Sequence, residues 1–184
     1  KYRDISMVFQ SYALYPHKTV AENISFPLKV RGMAKDDMDA ATLNAAKQVQ
    51  IGDLLDRYPR ELSGGQRQRI GIARALAAQP RLIIADEPVS GLDVSVQAQV
   101  LNLMMDLQDD FSLTYLFVSH DLNVINQISD RVVVMYVGRV VEVGTPKELF
   151  SSPKHPYTAA LISALPKPDP KQKRQRTVLE GEVA

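Results

Sequence analysis

The chain has 184 residues, 45% of them hydrophobic and 23% charged, with a formal net charge of +1. That length can bury a sizeable core, and the near-neutral balance directs no strong field at nucleic acid. Cysteine is absent, which excludes disulfide frameworks, thiol chemistry and cysteine-ligated zinc, and no run approaches the ~18 apolar residues of a membrane-spanning helix.

Residues 5–10 (ISMVFQ) predict a short strand running into a loop. Residues 34–50 place Met38, Ala41, Ala45 and Val49 at helical spacing. Ser63 is a predicted N-cap for a helix over 66–78, which ends at Gln79-Pro80. Leu82-Ile83-Ile84-Ala85 is a continuous apolar strand, followed by an acidic turn and a helix over 93–108. The strand Thr114–Val118 ends at Ser119-His120-Asp121 and leads into another helix. Strands over 131–137 and 139–144 form a hairpin around Gly138. A short helix follows Pro146, and a last small helix follows the segment 151–158. The tail from Pro166, with Lys167, Lys171, Lys173, Arg174 and Arg176, reads as a solvated extension.

Apolar strands alternating with helices indicate a parallel sheet covered on both faces. Ligands of such sheets sit beyond the carboxyl ends of the strands, so the polar residues there are the candidates for chemistry. Asp86-Glu87 ends one strand: a carboxylate can hold Mg²⁺ while its neighbour accepts a proton from an attacking water. The alternative is an acidic turn that only ends a strand. His120, just beyond the next strand, either stabilises charge on a terminal phosphate or caps a helix. His17 and His155 have no comparable placement and read as structural. In Leu62-Ser63-Gly64-Gly65-Gln66, two glycines leave backbone N–H groups unobstructed, Ser63 adds a hydroxyl, and the following helix aims its positive end at the same point. That suits phosphate, or is an ordinary helix start. Gln10 directly follows the first strand, and Asp93 is an expected N-cap after Ser90-Gly91-Leu92.

Taken in order, Gln10, Leu62–Gln66, the strand into Asp86-Glu87, Ser90–Asp93 and His120 resemble the ABC ATPase family's Q-loop, signature, Walker B with catalytic glutamate, D-loop and H-loop. Gly91 departs from the family's more usual Ala or Asn and leaves Asp93 in place. The resemblance implies an α/β fold: a P-loop NTPase-type core with a mostly parallel sheet, plus a helical subdomain. Its implied organisation is a core of residues 1–15 and 80–150, a helical subdomain over 16–79, and a C-terminal tail over 151–184. It also implies ATP and Mg²⁺ as ligands. Glu87 would polarise the attacking water, Asp86 would hold Mg²⁺, Gln10 would serve the metal or the water, and His120 would contact the γ-phosphate. Ser63, Gly64, Gly65, Gln66 and Asp93 would face nucleotide across a head-to-tail dimer with a second ATPase subunit. Further implied partners are membrane-spanning permease subunits and, indirectly, a periplasmic or extracellular solute-binding protein. The implied location is peripheral, at the cytoplasmic face of the membrane.

None of the nine glycines precedes a lysine, so the Gly-x-x-x-x-Gly-Lys-Ser/Thr P-loop does not occur in these 184 residues. With no initiator Met and a start in mid-pattern, the chain reads as an N-terminal truncation lacking the first strand and P-loop, expected to bind ATP weakly by itself. Met7–His17 and Thr19–Ile24 resemble sugar and glycerol-phosphate importer ATPases. Asp93–Leu103 and the His155-Pro156-Tyr157-Thr158 tail resemble dipeptide, oligopeptide and glutathione importers, and the larger share favours peptide. A non-transport ABC ATPase and an inert truncated product are the readings of another class.

Overall fold

The computed structural model describes residues 4–165. The tail from Pro166, expected as a solvated extension, lies outside the described residues. The chain divides into two compact units, residues 4–119 and 120–165 as described.

The first unit is built on a parallel sheet of β1 (Ile5–Val8), β2 (Leu82–Asp86) and β3 (Thr114–Val118), in the order β1-β2-β3. Register pairs Val8 with Ala85 and Ala85 with Phe117, and Met7 with Ile84 and Ile84 with Leu116. Paired residues share a face. One face carries Val8, Ile83 and Ala85, all buried; the other carries Ile5, Leu116 and Val118, which are 44%, 54% and 46% exposed. Among the described residues of this unit, helices bury the first face and leave the second partly open, which departs from the expectation of a sheet covered on both faces. Continuous apolar strands signal burial, but they do not say which side a neighbour occupies.

Helix α1 (Val20–Val30) was not foreseen from the sequence. Thr19 caps it: its hydroxyl accepts from the Glu22 N–H at 3.2 Å, and its own N–H donates to the Glu22 carboxylate at 2.8 Å. Val20, Ile24 and Leu28 form its buried face. Asn23 is fully buried and satisfied: its amide donates to the carbonyls of Tyr15, Lys18 and Thr19 and accepts from the Tyr15 N–H. That fastens the preceding loop to the helix. Helix α2 (Lys35–Gln48) buries Ala45, as its spacing predicts, together with Thr42 and Ala46.

Helix α3 (Gly64–Ala77) begins two residues before the predicted start and packs against α1, α2, β1 and the next helix. Residues around most of its circumference are buried, from Gly65 and Gln68 to Ile70, Ile72 and Leu76, as for a helix enclosed by neighbours. Helix α4 (Val94–Phe111) runs past the predicted end at 108 and stops at Ser112 in the left-handed conformation.

In the second unit, α5 (Leu122–Ile128) precedes the antiparallel hairpin of β4 (Val132–Tyr136) and β5 (Arg139–Gly144). Its two-residue turn, Val137-Gly138, has φ of 46° and 71°, the type I′ signature that matches strand twist. Two short helices follow, α6 (Pro146–Ser151) and α7 (Pro156–Ser163). The Glu142 carboxylate accepts from the N–H groups of Lys154 and His155 at 2.8 and 3.0 Å, which ties the hairpin to the start of α7. His155 caps α7 through Nδ1, accepting from the Tyr157 N–H at 3.1 Å, and the Tyr157 ring lies 4.3 Å from that of Tyr136. His155 is structural, as its sequence context indicates.

Candidate functional site

The carboxyl ends of β1 and β2 meet. Gln10, two residues beyond β1, donates from Nε2 to the Glu87 carboxylate at 3.0 Å and to Ser90 Oγ at 3.3 Å. Glu87 adopts φ of +46°, uncommon for a residue with a Cβ, and its N–H donates to the Val118 carbonyl at 2.9 Å. This bond continues the β2–β3 ladder past Asp86 while the left-handed kink turns the chain away. Ser90 N–H donates back to the Glu87 carbonyl at 3.1 Å, which closes the acidic turn. Gly91 follows with φ of +77°, so the glycine at this position serves the backbone. Three sequence-predicted elements, Gln10, Asp86-Glu87 and the Ser90–Asp93 segment, thus stand at one end of the sheet.

Ser63 caps α3. Its hydroxyl accepts from the Gln66 N–H at 3.3 Å, and its N–H donates to Gln66 Oε1 at 2.9 Å. Asp93 likewise caps α4, accepting from the Val96 N–H at 2.9 Å. Ser63 Oγ accepts one bond and its O–H can still donate, and the first N–H groups of a helix have no intrahelical partner. The arrangement is compatible with an anion at the start of α3.

The structure adds a reason for the two glycines that the sequence did not reveal. A Cβ on Gly65 would lie 2.5 Å from Val96 Cγ1, and one on Gly64 would lie 3.2 Å from Leu92 Cδ2 and 3.3 Å from the Tyr12 hydroxyl. Glycine lets the starts of α3 and α4 approach each other. His120 opens the second unit, two residues beyond Val118, where β3 ends.

Sequence reasoning gave Ser90 no role of its own within the Ser90–Asp93 segment, and it passed over Arg74. Arg74 donates from Nη1 to the Ala13 carbonyl at 2.6 Å and from Nη2 to the Tyr12 carbonyl at 3.0 Å, which binds α3 to the turn that carries Gln10. No local signal marks these partners, because 61 and 62 residues separate the two ends.

This fold, with these motifs in this order, is similar to that of ABC-type ATPase domains. Residues 2–90 match the ABC transporter family, and residues 141–184 match the oligopeptide/dipeptide transporter C-terminal region. The chain is 49% identical to the oligopeptide transport ATP-binding protein OppF of Salmonella typhimurium, over 98% of this chain and 56% of that protein. It is 49% identical to the dipeptide transport ATP-binding protein DppF of Haemophilus influenzae, over 98% and 57%. Against a putative peptide import ATP-binding protein of Brucella ovis the figures are 47%, 98% and 58%. Among solved structures it is similar to cbiO1 of Clostridium perfringens, part of the ABC transporter complex cbiONQ. That match has a TM-score of 0.73 and 32% identity, covering 81% of this chain and 60% of the other. The chain thus pairs a segment that matches the ABC transporter family with one that matches the C-terminal region of oligopeptide/dipeptide transporters. It spans under two thirds of the length of these curated relatives.

Proposed function

We propose that this chain is part of the ATP-hydrolysing subunit of an ABC importer for dipeptides or oligopeptides. The observation that carries the reading is the pairing of two matches in one chain, the ABC transporter family over 2–90 and the peptide-transporter C-terminal region over 141–184. The names of the relatives point to the same cargo. They weigh against the sugar and glycerol-phosphate alternative suggested by the first forty residues.

In this reading Glu87 accepts the proton of the water that attacks ATP. Gln10, now donating to that carboxylate, orients it and the water. His120 contacts the γ-phosphate. Ser63, Gly64, Gly65 and Gln66, at the positive end of α3, face nucleotide held by a second ATPase subunit, and Asp93 lies at that interface. The oxygen donors at the strand ends suit a hard divalent cation, with Asp86 and the Gln10 amide oxygen as the residues to hold Mg²⁺. Bound there, Mg²⁺ would neutralise charge on the transferring phosphoryl group.

Residues 1–15 and 80–150 form the catalytic core of the proposal, 16–79 the helical subdomain toward the permease subunits, and 151–184 the tail. Among the described residues no helix is long and apolar enough to cross a membrane. Placement at the cytoplasmic face would therefore come through the permease, with a solute-binding protein delivering cargo on the opposite side.

Because these 184 residues hold no P-loop sequence, the chain alone should bind Mg-ATP more weakly than micromolar in calorimetry. Joined to a P-loop-bearing segment it should hydrolyse ATP, and Glu87→Gln should reduce the rate at least ~100-fold, the scale of losing a positioned general base. A folded, joined dimer without ATPase activity overturns the reading. Uptake of labelled sugar but not dipeptide by the assembled transporter overturns the cargo.

A further inference from the structure

We propose that Arg74 is a positioning residue that holds Gln10 against Glu87 by clamping the turn Phe9–Ala13 to α3. Its consequence for hydrolysis rests on the function proposed above; its geometry does not.

The turn is an improbable one for its sequence. Tyr12 and Ala13 adopt φ of 62° and 44°, the left-handed region, in succession and without a glycine. Side chains with a Cβ disfavour that region, so the surroundings must impose it. Within the turn, the Tyr12 N–H donates to the Phe9 carbonyl at 3.1 Å. The Arg74 fork then takes the two consecutive carbonyls, Ala13 from Nη1 at 2.6 Å and Tyr12 from Nη2 at 3.0 Å. These carbonyls stand side by side only while the left-handed pair persists.

Arg74 itself is half-buried, and desolvation pushes its guanidinium pKa down, with Tyr15 opposing. An arginine stays charged even so, so its charge is stabilised by the carbonyls it holds. A lysine, with one compact ammonium, cannot reproduce the planar two-pronged contact.

The turn also lies along one face of α3. Gly64 and Gly71 share that face, seven residues apart. A Cβ on Gly64 would stand 3.3 Å from the Tyr12 hydroxyl, and one on Gly71 3.8 Å from the Tyr12 carbonyl. At its other end the turn delivers Gln10, with its bonds of 3.0 Å to Glu87 and 3.3 Å to Ser90. The chain of contacts is continuous: α3, the Arg74 fork, the left-handed pair, Gln10, the Glu87 carboxylate. When the fork is lost, the pair relaxes to ordinary backbone and Gln10 leaves Glu87. Arg74 touches none of the proposed reacting groups; it acts through the turn.

The test reads the Gln10 side-chain amide by NMR in the 184-residue chain, alongside thermal unfolding. In Arg74→Lys and Arg74→Ala, the Gln10 NH₂ protons should exchange at least ~10-fold faster and move toward free-glutamine shifts. Ala13→Gly, which makes the left-handed backbone inexpensive, should restore protection in the Arg74→Lys background. A residue that merely packs would lower the melting temperature without moving the Gln10 resonances, and would gain nothing from Ala13→Gly. Unchanged Gln10 exchange in folded Arg74→Lys overturns the proposal. In the joined, P-loop-bearing protein, Arg74→Lys should lower kcat about 10-fold with KM for ATP little changed, since one positioned group is affected. An unchanged kcat there overturns the catalytic consequence. The exchange measurement needs no ATP, so an inactive parent protein defeats the proposed function and leaves this inference to its own result.

Discussion

Replacing Gly65 with alanine sets two effects of opposite sign against each other. Alanine is the better helix former by about 1 kcal/mol in a helix interior, and Gly65 lies in the first turn of α3, so propensity alone predicts stabilisation. The structure predicts the reverse. The new Cβ would lie 2.5 Å from Val96 Cγ1, whereas carbon atoms settle at ~3.5–4.0 Å. Something must therefore yield by about 1 Å. Rotating Val96 costs about 0.5–1.5 kcal/mol, because a β-branched side chain in a helix has one strongly preferred rotamer. Separating α3 from α4 instead costs about 1–3 kcal/mol, as for other overpacked sites. After the propensity gain, Gly65→Ala should destabilise the chain by roughly 1 kcal/mol. Chemical denaturation of Gly65→Ala, Val96→Ala and the double variant measures it. Val96→Ala removes the opposing methyl, so the double variant should be more stable than the sum of the singles by about 1 kcal/mol. Additivity within ~0.5 kcal/mol, or a stabilised Gly65→Ala single variant, refutes the steric account.

Gln68 is fully buried and neither atom of its amide has a hydrogen bond. Gln68→Met, which keeps the length and removes the unsatisfied polar atoms, should raise stability by about 1 kcal/mol in denaturant melts; a loss of similar size would mean that the amide has a partner. Acid should weaken both units. The Glu22, Glu61 and Glu148 carboxyls are held below their usual 4.5 mainly by backbone N–H groups at Thr19, Tyr58 and Thr145. Glu142 is held low by the neighbouring Thr158 side chain, whose hydroxyl stands near it without a well-formed hydrogen bond, and by the N–H groups of Lys154 and His155, which donate to it at 2.8 and 3.0 Å. A folded pKa below the unfolded one contributes stability that is complete above the unfolded value and is lost as pH falls through the folded one. Melting temperature should thus be insensitive to these groups at neutral pH and fall below about pH 4.5. Glu142→Gln should flatten that fall for the second unit, and an identical pH profile in the variant would exclude the contact as its cause.

The strands were legible as short, mainly apolar runs, broken only by single polar residues such as Ser6 in β1 and Glu142 in β5, and the hairpin because Gly138 stands between two such runs. Helix α1 was not: Pro27 and the polar Asn23 interrupt its pattern, and Asn23 is buried through a side-chain network to Tyr15, Lys18 and Thr19. The signal that could have found it was Thr19-Val20-Ala21-Glu22, a capping box that the structure forms in full. Which face of the sheet is covered was not legible at all, because Leu116 and Ile83 look alike in sequence and differ only in what packs against them.

The site divides along the same line. Ser63 and Asp93 were readable as N-caps because a cap is a local device, closed within three residues. The contact between Gln10 and Glu87 spans 77 residues, and no periodicity reports it; only the order of motifs brought the two together. The glycines join both levels. Read locally, Gly64-Gly65 exposes N–H groups for an anion; read in the fold, the same missing side chains admit Tyr12, Leu92 and Val96. A substitution there disturbs packing whether or not an anion binds. Loss of activity in a Gly64 or Gly65 variant therefore counts as evidence for the anion site only if stability, and Gln10 on Glu87, are unchanged.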